Sequence, residues 1–248
     1  LPPVLESIQY ARPREGLFVK QINSAAVIGA GTMGAAIAAH LANAGRSVLL
    51  LDAVPSALTP AEESRGLSLK HPRVRNRLAL AGLERVRTAS PPALFSASVA
   101  QRITPGNVDD DLGRVAGVDW IIEAVTERLD VKRSLLDKIE TVRRPGTIVT
   151  SNTSGLPIGQ IAEGRSDEFR AHFFGTHFFN PPRHMKLLEV TPIPETTREV
   201  LEAIVRMGER DLGKGVVICK DTPNFIGNRV FTFDLTFALA YALDNGYT

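Results

Sequence analysis

Ala25-Ala26-Val27-Ile28-Gly29-Ala30-Gly31-Thr32-Met33-Gly34 is an apolar run that ends in G-x-G-x-x-G and opens the Ala-rich stretch Thr32–Asn43. The run predicts a short buried strand, and the Ala-rich stretch has good helix composition. Gly45 stands where a helix C-terminus wants a residue at positive φ. Ser47-Val48-Leu49-Leu50-Leu51 then predicts a second strand, apolar on both faces as a parallel sheet requires. Three glycines between a strand and a helix have a specific use. The first makes the turn, the second lets the backbone approach a pyrophosphate, and the third lets helix pack on strand. The helix N-terminus offers free N–H groups and partial positive charge to phosphates. Asp52 ends the second strand, eighteen residues past Gly34. A carboxylate there accepts from both ribose hydroxyls and repels a 2′-phosphate, which predicts NAD over NADP. A turn used only for packing, beside an ordinary strand-end Asp52, would need four features to fall in register by chance.

Outward from this unit the pattern repeats. Residues 55–92 are rich in Arg, Lys and Glu with Leu at helical intervals, so they predict a charged helical excursion. Pro105-Gly106 reads as a turn. Trp120-Ile121-Ile122-Glu123-Ala124-Val125 predicts a third strand. Leu129–Val142 follows as a helix with Leu135, Leu136, Ile139 and Val142 on one stripe. Pro145-Gly146 ends it, and Thr147-Ile148-Val149-Thr150 is the next strand. Further strand-like runs cover 172–179, 186–191 and 216–219, with a helix over about 196–212. Alternating strands and helices imply right-handed crossovers and an α/β fold, a doubly wound, mostly parallel Rossmann-like sheet.

Residues 230–243 are apolar almost all the way round, so they predict a helix buried on every side. It is too short to span a bilayer. The expected organisation is an N-terminal arm (1–22), a nucleotide-binding domain (23–219), and the first helix of a truncated all-α C-terminal domain (220–248). Residues 1–20 carry Pro and charge rather than the apolar core of a signal peptide, and Leu1 in place of Met suggests trimming. Residues 21–45 lack Asp, Glu, Lys and Arg, yet four Gly and several polar residues there argue against a membrane span.

The 248 residues carry 29 Lys plus Arg against 27 Asp plus Glu, a net charge of +2 that argues against nucleic-acid binding by bulk charge. Hydrophobic residues at 44% exclude a mostly disordered chain. One cysteine, Cys219, excludes a disulfide framework and a thiolate metal cluster. A cytoplasmic protein without a metal is expected.

Five histidines could serve as a base: His40, His71, His172, His177 and His184. His172 and His177 share a predicted strand and, five apart, point to opposite faces. A histidine among phenylalanines is more often a core residue than a catalyst, and pattern alone does not choose among the five.

Resemblance does choose. Thr176-His177-Phe178-Phe179-Asn180-Pro181-Pro182, then Met185-Lys186-Leu187-Leu188-Glu189-Val190, resembles the signature of the 3-hydroxyacyl-CoA dehydrogenases. So do Ser151-Asn152-Thr153-Ser154 and Asp221-Thr222-Pro223-Asn224-Phe225-Ile226-Gly227-Asn228-Arg229, in the family's order. The similarity runs from about Asn23 to the end. It implies that His177 is the catalytic base, Glu189 its paired carboxylate, and Ser154 and Asn228 the residues holding the reacting oxygen. Besides Gly29, Gly31, Thr32, Met33, Gly34 and Asp52, it implies that Glu127, Lys132, Ser154 and Asn180 lie near NAD. The family also sets a lysine of the excursion against the CoA phosphate. Lys70 is a candidate, although Lys70, Arg73 and Arg75 read more simply as a solvated helix face.

Elementary chemistry agrees with these roles. Oxidising a secondary alcohol removes a hydride from carbon and a proton from oxygen. The first is a positioning task. The second needs a base that works near neutral pH, for which histidine is suited. A carboxylate beside the imidazole stabilises the imidazolium and fixes the tautomer. Taken singly, Glu189 could be a solvated sheet edge, Ser154 a turn cap, and Asn228 an exposed residue about a turn and a half into a helix capped by Thr222 and begun by Pro223.

Further blocks, among them Ile103-Thr104-Pro105-Gly106-Asn107 and Gly213-Lys214-Gly215-Val216-Val217, resemble larger bacterial fatty-acid oxidation proteins in which the dehydrogenase precedes an enoyl-CoA hydratase region. The resemblance implies an acyl-CoA substrate in β-oxidation and a homodimer formed through the helical domain. Rival readings are a dehydrogenase of a non-CoA 3-hydroxy acid, a hydroxybutyryl-CoA-specific form, or a non-catalytic NAD-binding relative.

Overall fold

A computed structural model describes residues 20–247. Residues 1–19, most of the expected arm, lie outside the described residues, and Ile22, at the arm's end, is buried in the core.

The first unit is β1 (Ser24–Ile28), α1 (Thr32–Asn43) and β2 (Ser47–Asp52). The excursion holds α2 (Pro60–Glu63), α3 (Pro72–Arg75) and α4 (Arg77–Arg87), and a 3-10 turn (Ala97–Arg102) leads to β3 (Ile103–Asn107). Then come β4 (Trp120–Glu123), α5 (Leu129–Val142), β5 (Ile148–Ser151), α6 (Ile158–Ile161), α7 (Asp167–Ala171), β6 (Phe173–Phe178) and β7 (Leu187–Pro192). The chain continues through α8 (Arg198–Arg206), a π turn (Met207–Asp211), β8 (Gly215–Ile218) and α9 (Gly227–Asp244). The eight strands lie in the order β3-β2-β1-β4-β5-β6-β7-β8. Among the described residues only β6 and β7 pair antiparallel.

The sheet core is apolar on both faces, which explains its continuous hydrophobic runs. One face of the sheet packs against α1, α4 and α8. The other packs against α5, α6 and α7. Trp120 is fully buried, and its indole N–H donates to Thr150 Oγ1 at 2.9 Å. Burying a side chain of this kind contributes about 1.5–3 kcal/mol, and the hydrogen bond removes the cost of an unpaired donor.

Three expectations need correction. Pro105-Gly106 is not a turn; both lie within β3, paired with Leu50 and Leu51. β3 is an edge strand, where a proline's missing N–H leaves no ladder partner wanting. His172 does not share a strand with His177. It caps the C-terminus of α7, with Nδ1 2.8 Å from Glu168 O. The last helix begins at Gly227 rather than at Pro223, so Asn228 is its second residue. Asn224 and Phe225 have φ of 63° and 45°, and this left-handed pair breaks the helical path that Thr222 and Pro223 would start. α9 itself has no buried residue; Phe231 and Phe237 are each 67% exposed, because no described element packs across it.

The glycines of the first turn differ in what they require. A Cβ at Gly34 would sit 1.7 Å from the Gly29 carbonyl oxygen, whereas one at Gly31 would meet nothing within 4 Å. Overpacking costs about 1–3 kcal/mol or more where backbone must move. Gly34→Ala is therefore expected to lower the melting temperature clearly, and Gly31→Ala to stay within about 1 kcal/mol of the parent protein. Thermal denaturation of both variants checks this, and equal losses would contradict it.

Candidate active site

Gly29 has φ +106°, and a Cβ there would lie 2.4 Å from the Ala124 carbonyl oxygen. Close approach of β1 to the end of β4 thus demands glycine at this point. Gly31 and Thr32 are exposed and Met33 is half-buried, so the second glycine opens onto free space. Beside it lies a crevice of about 430 Å³ lined by Gly29, Gly31, Asp52, Ala53, Val125 and Lys138 among others. The crevice sits where the strand order reverses, the usual ligand position in such sheets. Asp52 is fixed at its lip. Oδ2 accepts from Ala30 N at 2.5 Å and Oδ1 from Ala53 N at 2.6 Å. Arg85 of α4 donates to Ala30 O at 3.2 Å, a contact no motif announced.

The second group stands at the ends of β4 and β5. Lys132 is buried, with Nζ 2.7 Å from Glu123 Oε1 and 3.3 Å from Glu127 Oε2. Glu123 is fully buried and also accepts from Val125 N at 2.8 Å and from the Ser151 hydroxyl. Glu127 Oε1 takes the Thr153 hydroxyl, Ser154 N at 2.9 Å and Gly155 N at 3.3 Å. Burial alone would raise the Glu127 carboxyl, but Thr153, Lys132 and Ser154 outweigh it and hold it below the ordinary range. Glu127 therefore ties the crevice side of β4 to the Ser154 loop. Lys132, expected beside a cofactor, spends its charge on these two carboxylates.

The third group depends on the antiparallel pairing of β6 with β7. Its register sets His177 directly opposite Glu189. Nδ1 lies 2.7 Å from Glu189 Oε2, with the histidine 6% exposed and the glutamate fully buried. The other carboxylate oxygen accepts from Ile226 N at 3.0 Å and Gly227 N at 2.7 Å, the start of α9. The left-handed Asn224 and Phe225 aim those N–H groups inward. Burial pushes the Glu189 carboxyl up, but the bonds from His177, Gly227 and Ile226 prevail and hold it below its ordinary value. An ionised carboxylate only accepts, so Nδ1 carries the proton and Nε2 is left open. Phe179 and Phe225 flank the ring at 4.4 Å and 5.9 Å. Asn228 Nδ2 reaches Ser154 O at 3.3 Å, which brings the β5 loop beside α9.

The structure thus brings His177 and Glu189 together, and Asn228 against Ser154. Asn180 is exposed at the head of the loop leaving β6. Lys70 and Arg73 are exposed, while Arg75 forks onto Asp110 at 2.6 Å and 2.7 Å. Sequence reading missed Asn152, whose side-chain oxygen accepts from Phe178 N at 3.0 Å and so holds the strand that carries His177. It also missed Glu123, whose only signal was a charge at the end of an apolar strand. Among the described residues no helix is long and apolar enough to cross a membrane.

The family model described as 3-hydroxyacyl-CoA dehydrogenase, NAD binding domain, matches residues 24–222. The chain belongs to this family. A relative from Bacillus subtilis, named probable 3-hydroxyacyl-CoA dehydrogenase, is 50% identical over 92% of this chain. One of the same name from Deinococcus radiodurans is 44% identical over 92%. The chain spans only 29% and 62% of those two proteins. The crystal structure of (S)-3-hydroxybutyryl-CoA dehydrogenase from Ralstonia eutropha superposes with a TM-score of 0.67 at 26% identity, covering 91% of this chain and 73% of that one. The cofactor is NAD. The residues present fit it: an open second glycine for the diphosphate, a helix N-terminus behind it, and a fixed carboxylate at the lip for the ribose.

Glu189 makes a prediction of its own. A carboxyl held below its ordinary value of 4.5 stabilises the fold above that pH, and the contribution is lost as pH falls through the lowered value. Glu189→Gln removes the ionisation while keeping the shape. The variant should melt lower at neutral pH and lose less stability on acidification than the parent protein. Melting temperatures followed from neutral to acid pH test this; parallel curves would contradict it.

Proposed function

We propose that the chain serves NAD-dependent oxidation of L-3-hydroxyacyl-CoA to 3-oxoacyl-CoA within β-oxidation, with His177 as general base. The observation that carries the reading is the 2.7 Å contact between His177 Nδ1 and the buried Glu189 carboxylate. NAD, when bound, supplies the acceptor for the hydrogen on the carbinol carbon. The chain's own residues handle the proton. Nε2 takes it from the substrate hydroxyl, and Glu189 stabilises the imidazolium that results. Ser154 is exposed beside Asn228, with its hydroxyl free to face a substrate oxygen. Asn228 uses one amide N–H on the Ser154 carbonyl and keeps a second for the same task. These two donors would hold the oxygen while the carbonyl forms.

Asp52 is the cofactor's selector in this account. Its carboxylate would meet the adenosine ribose and repel a 2′-phosphate. Pairing of two copies through the helical region is supported by the apolar surface of α9, where Phe231, Phe233 and Leu239 are exposed.

His177→Ala, made in the whole protein, should reduce turnover by about 10²–10⁴ while NADH still binds. Steady-state kinetics with 3-hydroxyacyl-CoA and fluorescence titration with NADH provide the two readings. Turnover near the parent value would overturn the assignment. Asp52→Ala should narrow the preference for NAD over NADP, and unchanged discrimination would remove Asp52 from that role.

A further inference from the structure

Lys214 has no part in the reaction as proposed, yet it is only 6% exposed. Its ammonium donates to Met185 O at 2.7 Å and to Pro182 O. It also lies 5.9 Å from the centre of the Phe178 ring, one residue past His177. The adjoining backbone reinforces the contact. Lys214 N donates to Gly208 O in the π turn, and Gly215 N to Lys186 O, each at 2.8 Å.

Lys186 is the charged group that acts on the Lys214 ammonium, and it repels it. From α1 comes His40, which burial first and Lys214 next pull down to about 4. Arg183 and His184 of the loop 180–186 act on His40 in the same sense. Its acceptors among the described residues are two carbonyls and no carboxylate. A buried ammonium without a counter-charge is costly, and an apolar side chain would fill the space more cheaply. The charge is therefore kept for what it gathers, which is the loop that runs directly on from the His177 strand.

We propose that Lys214 is a positioning residue: by gathering the Pro182 and Met185 carbonyls it sets the loop 180–186, and with it Asn180 and the frame of His177. This rests on the dehydrogenase reading above. A second tie holds the outer side of the same loop. Arg183 donates to Pro92 O at 2.7 Å and Leu94 O at 3.0 Å, with its guanidinium 4.5 Å from the centre of the Phe95 ring. That tie keeps its charge at any working pH. The inner one does not. Burial, and after it Lys186, pull the Lys214 ammonium down to about 8. Below that pH the tie is charged; above it a neutral amine donates more weakly.

The test is the pH dependence of kcat and of KM for NAD in the whole protein, for the parent, Lys214→Met and Lys214→Arg. The parent should lose kcat as pH rises through about 8. Lys214→Met should start about ten- to a hundredfold lower and show no such fall. Lys214→Arg, permanently charged, should hold its level through the same window. Three results would overturn the proposal: no alkaline loss in the parent, the same loss persisting in Lys214→Met, or Lys214→Met turning over within about twofold of the parent. Lys214→Gln, which keeps a donor without the charge, takes the place of Lys214→Met in the same comparison if that variant does not fold. Should the parent not oxidise 3-hydroxyacyl-CoA at all, the assigned reaction fails instead. NADH titration of the folded variants then still reads Lys214, with weaker binding in Lys214→Met supporting it and equal binding overturning it.

Discussion

A single buried carboxylate, Glu189, holds three separate pieces of chain in register. One oxygen takes the His177 imidazole and the other takes two backbone N–H groups at the start of α9. β7, β6 and the last helix therefore meet at one charge. Removing one partner from such a group leaves the rest uncompensated, which is why breaking buried pairs costs far more than the pair contributes net. The same carboxylate fixes the ring tautomer. The fold and the proposed chemistry here depend on one set of bonds.

The opposite side of the site follows the same logic with different residues. Glu123 and Glu127 share Lys132, and Glu127 passes that fixation to the Ser154 loop through three donors. The cofactor crevice at β1 and β2 and the His177 corner at β6 and β7 are linked by this relay across β4 and β5. Glycines make the first of these regions possible by letting β1, β4 and α1 approach closely. Paired charges, by contrast, fix the second. Neither region uses the outer sheet edge, where β3 tolerates a proline.

Local signals in the sequence reached most of the fold. Apolar runs bounded by glycine and proline located seven of the eight strands, because parallel strands buried on both faces leave a continuous hydrophobic signature. β3 escaped because Pro105-Gly106 carries the punctuation of a turn, and edge-strand tolerance of proline shows only once neighbours are known. The start of α9 escaped for a related reason. Thr222 and Pro223 form a plausible cap locally, but the pull of Glu189 on Ile226 and Gly227 is tertiary. For the site, the glycine turn and Asp52 were readable from spacing. His177 and Glu189 were not; twelve residues apart, they become a pair only through the antiparallel register, and resemblance was needed to choose them. Buried charges such as Glu123 and Lys214 look like surface residues in sequence, since burial is a property of the packed sheet.

The most direct measurement is the tautomer of the neutral His177 ring, read from its nitrogen chemical shifts and long-range couplings by nuclear magnetic resonance. A carboxylate accepting at Nδ1 requires the proton on Nδ1 and a bare Nε2. Finding the proton on Nε2 would mean that the ring cannot act as the base in this arrangement, and that the pair with Glu189 is not what orients it.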